Sequence, residues 1–284
     1  MRSLLKFFLL TYALTWVCFI SVVKMSDGRW PTGPAAAIVR GSLLLLGTFA
    51  PAIVALGVTA RDEGRRRVGI LLSSMIQWQV GWRWYLFAVA YMPLVKLSVA
   101  LVYRLMTGVW PRFGTDPWYI LVLAIIISTP VQAGEEIGWR GYALPRLAAR
   151  FGFARASLLL GLIWACWHLP VFYLPGADKY GQSFPVWTLQ VVALSVAVTW
   201  LYARTDGSLL LTMLMHSAVN QTVGMVPSAN LTPGSPFTFR VSLVMGLTAL
   251  FLWITAGYFL LRMPGLRGSP HEEETNSLRG GAET

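Results

Sequence analysis

The sequence predicts an all-α, polytopic membrane bundle of about eight transmembrane helices with both termini cytoplasmic. Three observations predict it. Of 284 residues, 56% are hydrophobic and only 12% charged, about half the charge of an ordinary soluble domain. Apolar runs of roughly 20 residues recur along the chain, the length that crosses a bilayer as a helix. The 23 basic residues gather between those runs, about twice as many on the side of the N-terminus as on the other.

The first helix is expected at 4–23, in MRSLLKFFLLTYALTWVCFISVV. It begins like a signal peptide but has no small-x-small cleavage site, so it reads as a retained span. Helices at 42–60 and 82–106 follow, separated by RDEGRRR at 61–67, the strongest cytoplasmic anchor and a solvated one on this reading. Further spans are expected at 118–143, 156–174, 185–203, 208–226 and 240–262. Pro31, Pro111, Pro170, Pro175, Pro227 and Pro233 fall near helix ends, where a missing amide costs little. Trp82, Trp84, Trp110, Trp118, Trp187 and Trp200 also lie near helix ends and read as an interfacial belt. The domain reading is 1–117 for the first three helices, 118–226 for a core, 227–262 for the last helix, and 263–284 for a polar, disordered tail.

The net charge of +11 does not signal nucleic acid, because no basic face is interleaved with aromatics. Cys18 and Cys166 both sit in apolar runs and imply no disulfide framework. The expected location is a bacterial cytoplasmic (inner) membrane.

Ionisable residues within apolar spans are costly and usually mark function. Glu135 and Glu136 end one such run in AGEEIGWRGYALPRL; His168 lies in GLIWACWHLPVFY and His216 in LLLTMLMHSAVNQ. Counted from Arg146, Arg155 and Arg204, the three positions 135, 168 and 216 lie at one depth, roughly 16–20 Å at 1.5 Å per residue. One buried polar site, open toward the cytoplasm, is expected there. Helical spacing pairs Glu136 with Arg140 and turns Glu135 toward the bundle. It likewise sets Trp164 beside His168 and His216 beside Asn220. Lys96 is expected to snorkel toward the outer face. His271, in the tail, reads as inert.

These motifs, EExxxR at Glu135, Glu136 and Arg140, an aromatic-xxx-His pair at Trp164 and His168, and His-xxx-Asn at His216 and Asn220, resemble the CPBP intramembrane proteases. That family includes CAAX prenyl endopeptidases and bacteriocin-processing and immunity proteins. The likeness spans about 118–224; its one departure is Trp164, where the family usually has Phe. The resemblance implies an intramembrane endopeptidase acting on a membrane-associated or lipidated peptide. Glu135 would be the general base, His168 would hold the attacking water, and His216 and Asn220 would donate to the oxyanion. Glu136, Arg140 and Trp164 would support them. A metal version instead makes Glu135, His168 and His216 ligands of zinc, a His₂Glu set; the residues allow either. A non-catalytic scaffold or immunity protein and a proton-coupled transporter are the competing classes, although no internal repeat of the transporter kind is visible.

Overall fold

The computed structural model describes residues 2–28, 30, 32–115, 117–226, 235–239 and 241–263. Residues 264–284 of the predicted tail, with His271, and Pro31, Pro227 and Pro233, lie outside the described residues. Among those described there are helices and turns and no strand.

The first helix, α1 (Arg2–Met25), packs along α2 (Pro34–Asp62). At 1.5 Å per residue either is long enough to cross the hydrocarbon layer. α2 starts eight residues before the expected 42, because Pro34 at the first turn sets a helical φ and lacks only an amide that would be unsatisfied anyway. Between the pair, the Thr15 hydroxyl donates to the Gly47 carbonyl at 2.8 Å.

The arginine-rich 61–67 stretch is more than a solvated anchor. After Asp62 it turns at Gly64 and opens a short helix, α3 (Arg65–Ser73), which the hydrophobic pattern does not predict. Three arginines lead it, Leu71 lies against Gly141, and Ile70 and Leu72 are exposed, a pattern suited to the membrane interface. α4 (Trp82–Thr107) then crosses the bundle and packs on α9 and α10.

The expected helices 118–143 and 156–174 are one irregular run. α5 (Trp118–Ser128) passes through a 3₁₀ turn, Thr129–Gln132, into α6 (Ala133–Glu136), a π-helical stretch Ile137–Ala143, and α7 (Leu144–Trp167). π-helical turns inside α-helices are rare and often sit at functional sites. Gly152 breaks the run at φ 74°, ψ 160°, a conformation that side-chain-bearing residues resist. The chain reverses there, since Trp164 comes back to bond Glu135, 29 positions away. α7 stops at Trp167 instead of 174, and Leu169–Tyr173 forms a 3₁₀ turn, as Pro170 has no amide with which to continue the ladder.

α8 (Phe184–Arg204) packs on α7 and α10, and α9 (Leu209–Thr222) enters the centre, capped by the Ser208 hydroxyl at the Leu211 amide. α10 (Leu243–Leu261) closes the bundle. Among the described residues six helical segments are long and apolar enough to cross a membrane, and one of them, Trp118–Tyr173, includes the reversal at Gly152. At 14 residues α9 is shorter than a full crossing. Leu9, Leu94, Leu105, Ile126, Ile254 and Leu261 are exposed on outward faces, as lipid contact requires. The chain is an integral membrane protein.

Helices in lipid gain little from hydrophobic burial against each other, so close packing through small residues holds them together. Gly138 shows this directly. A Cβ added there would stand 2.5 Å from Pro51 Cβ and 2.7 Å from Pro51 backbone atoms on α2. Gly138→Ala is expected to lower the stability of the purified protein by about 1–3 kcal/mol. Denaturant titration in mixed micelles measures it, and an unchanged midpoint would refute the close approach.

Candidate active site

Three elements bring the predicted polar residues to one place. α6 supplies Glu135 and Glu136, the end of α7 supplies His168, and α9 supplies His216 and Asn220. Glu135, His168, His216 and Asn220 all line a single cavity of about 810 Å³.

Trp164 is its hub. The indole Nε1–H donates to Glu135 Oε2 at 2.7 Å. The ring meets His168 at 5.7 Å and His216 at 5.3 Å between centroids, both edge-on. Its face carries the Arg140 guanidinium at 4.4 Å. The spacing between Trp164 and His168 suggested only rotamer packing; a hydrogen bond to the carboxylate was invisible in the sequence because it joins residues far apart in the chain. It fixes one oxygen of Glu135 and leaves Oε1 without a protein partner among the described residues.

Glu136 is fully buried, and its Oε1 accepts from Arg140 Nη1 at 2.7 Å, the expected i,i+4 pair. The same oxygen takes His216 Nδ1 at 2.9 Å. Glu136 thus anchors the histidine as well as the arginine, a second role that spacing could not disclose.

Both imidazoles have defined hydrogen positions. His168 Nδ1 lies 2.9 Å from the Trp164 carbonyl oxygen, which can only accept, so Nδ1 carries hydrogen and Nε2 keeps its lone pair. Three indoles hold that ring: Trp164, Trp167 at 4.6 Å and Trp187 at 5.1 Å. Trp187 is therefore not solely an interfacial anchor; one turn into α8, its ring reaches a catalytic candidate. Trp82 and Trp118 are exposed, as a belt requires, whereas Trp200 is stacked on Phe259 at 4.6 Å. His168 also ends its helix rather than lying deep within one. Asn220 Nδ2 donates to Gln132 Oε1 at 3.4 Å, a long bond that leaves its second N–H for another acceptor.

Lys96 does not snorkel. It is 1% exposed, and Nζ donates to the Val226 carbonyl at 3.1 Å. It borders a second cavity, of about 210 Å³, on the α4–α8 side. That cavity shares His168, His216, Asn220 and the Asp178–Lys179 pair with the first.

The lining of the large cavity reaches one end of the bundle. Its wall includes Ser26 after α1, Arg40 near the start of α2, and the loop from Leu174 to Lys179. These belong to the end of the bundle away from Arg61–Arg67. Depth counted from basic residues gives a common level for the side chains and says nothing of which end is hollow.

The three donors of the metal version line one cavity without forming a ligand cluster. No three His, Cys, Asp or Glu side chains among the described residues are grouped to hold an ion. His168 presents a bare Nε2, and one oxygen of Glu135 is held by an indole.

Residues 114–222 match the family described as type II CAAX prenyl endopeptidase Rce1-like. Over 116 residues the chain is 30% identical to CAAX prenyl protease 2 of Methanococcus maripaludis, covering 38% of this chain and 41% of that relative. The chain thus spans about two-fifths of the curated relative it matches. The resemblance read from three short motifs holds over the stretch that carries them.

Proposed function

We propose, with the Rce1-like core at residues 114–222 as premise, that the protein is a membrane-embedded endopeptidase that hydrolyses a peptide bond in a membrane-associated or lipidated peptide. The observation that carries this reading is the convergence of Glu135, His168, His216 and Asn220 on one cavity within the bundle. A bacterial cytoplasmic membrane is its proposed location.

Amide hydrolysis needs a positioned water, an acceptor for its proton and donors for the tetrahedral oxyanion. Glu135 is proposed as the base: Oε1 takes the proton as the water oxygen attacks the scissile carbonyl carbon. His168 Nε2 accepts the water's other O–H and aims its lone pair. The oxyanion receives N–H bonds from Asn220 Nδ2 and from His216 Nε2. Donation from Nε2 requires the imidazolium, for which Glu136 on Nδ1 is the counter-ion. Glu135 then returns its proton to the leaving nitrogen as the C–N bond breaks, giving a carboxylic acid and an amine. The aromatic walls around His168 limit water at the site and strengthen each of these interactions.

The test is purified protein in lipid nanodiscs with a library of quenched lipidated peptides. Cleavage by the parent, an approximately 100-fold fall in kcat for His168→Ala, and an unchanged rate in excess chelator support the reading. Equal cleavage by His168→Ala removes it, and a chelator-sensitive rate returns the site to the metal version.

A further inference from the structure

α1 and α2 run antiparallel: Thr15 bonds Gly47 midway along them, and at one end the Ser3 hydroxyl donates to the Asp62 carboxylate. Just inside that end lies a groove of about 270 Å³, which shares no lining residue with the catalytic cavity. Lys6 on α1 and Arg61 on α2 stand at its rim. Leu10, Val54 and Val58 form its walls, and a Cβ added at Gly57 would meet no atom within 4 Å. The missing side chain of Gly57 keeps the groove open.

The order along each helix is that of a phospholipid. Leu10 is four residues beyond Lys6, while Gly57 and Val54 come four and seven residues before Arg61. The two cations therefore share one level, and the apolar surface lies roughly 6–10 Å deeper at 1.5 Å per residue. That level is the membrane interface. The adjoining α3 opens with three arginines, and Ile70, Leu72, Ile76 and Trp78, in and just after it, are exposed.

Charge selects among lipids. Residues 2–7 and 61–67 hold six basic and two acidic residues. Glu63 is paired with Arg67 and Arg146, and Asp62 accepts from Ser3. Lys6 and Arg61 make no ion pair or side-chain hydrogen bond among the described residues. An arginine excess between spans serves topology wherever it falls, but a topology signal needs no groove beneath it. We propose that this groove binds an anionic phospholipid, with its phosphate between Lys6 and Arg61 and one acyl chain along Leu10, Val54 and Val58 over Gly57. Basic pockets between membrane helices recognise anionic headgroups in this way. The site is independent of the endopeptidase reading.

Native mass spectrometry of the purified full-length protein in detergent tests this, with phosphatidylglycerol and phosphatidylcholine of identical acyl chains. The parent is expected to bind one phosphatidylglycerol at least about tenfold more tightly than phosphatidylcholine. Gly57→Leu fills the groove without touching a charge, and leucine is the better helix former. Its affinity for phosphatidylglycerol falls at least about tenfold. Lys6→Gln with Arg61→Gln gives a similar fall. Arg65→Gln with Arg66→Gln removes the same charge outside the groove and stays within about threefold of the parent. Circular dichroism checks the fold of each, and the Lys6 and Arg61 pair, both exposed, decides should Gly57→Leu unfold. Equal affinity of the parent for the two lipids, or undiminished phosphatidylglycerol binding by a folded groove variant, overturns the proposal. An equal loss in the Arg65 and Arg66 variant also overturns it, because the effect would then be the general field of the basic end. Millimolar glycerol phosphate is expected to displace no lipid; displacement would make the ligand a soluble phosphate and overturn the lipid assignment.

Discussion

Glu135→Gln lowers kcat for peptide cleavage by at least about a thousand-fold and leaves the helical fold intact. The two side chains are nearly isosteric, and the amide oxygen of glutamine still accepts the Trp164 indole N–H that holds the carboxylate at 2.7 Å. No buried group is newly orphaned, so far-ultraviolet circular dichroism and the denaturation midpoint stay close to the parent's. What disappears is a base able to take the water's proton. General-base catalysis alone contributes about 10²–10⁴-fold, and here the same proton must later reach the leaving nitrogen. Activity within tenfold of the parent would remove Glu135 from the chemistry.

Glu136→Gln has the opposite profile and breaks the fold. Arg140 is fully buried, and the π face of Trp164 supplements its one carboxylate partner without replacing it. Taking away one partner of a buried ion pair costs about 3–5 kcal/mol, because the remaining charge stays in a low-dielectric interior. A double variant, Glu136→Gln with Arg140→Met, removes both charges and regains most of the stability. It does not regain activity, because His216 has lost the carboxylate that orients its ring. Denaturant titration of the three proteins, with kcat alongside, checks this. A Glu136→Gln variant as stable as the parent would mean that the pair is not holding the turn.

These two variants show how differently adjacent glutamates act, and part of that division was legible in the sequence. Spacing alone paired Glu136 with Arg140 and turned Glu135 away. The partners across the bundle were not legible. Nothing in WACWH says that Trp164 bonds a glutamate, nor in HSAVN that His216 bonds Glu136, because neighbours of that kind are set by tertiary packing. Trp187 and Lys96 were read by general rules, as an interface anchor and a snorkelling cation, and in both cases the interior site claims the side chain.

The fold divides in the same way. α1, α4 and α8 end within a few residues of the expected bounds because each is a long apolar run between charges. α3 was hidden, since three arginines mask the apolar residues that follow them. The 3₁₀ and π turns from Thr129 to Ala143 were hidden too, because a shifted hydrogen-bond ladder leaves no mark on hydrophobic periodicity. Those turns position Glu135, so the least legible backbone lies next to the most legible motif.

The most direct test of the shared-water site is a single-turnover reaction of purified protein in ¹⁸O-labelled water, with products resolved by mass spectrometry. The account predicts one ¹⁸O in the new C-terminal carboxyl of the peptide cut by the parent, and no labelled product with Glu135→Gln. Labelled product released at the same rate by both proteins would contradict it.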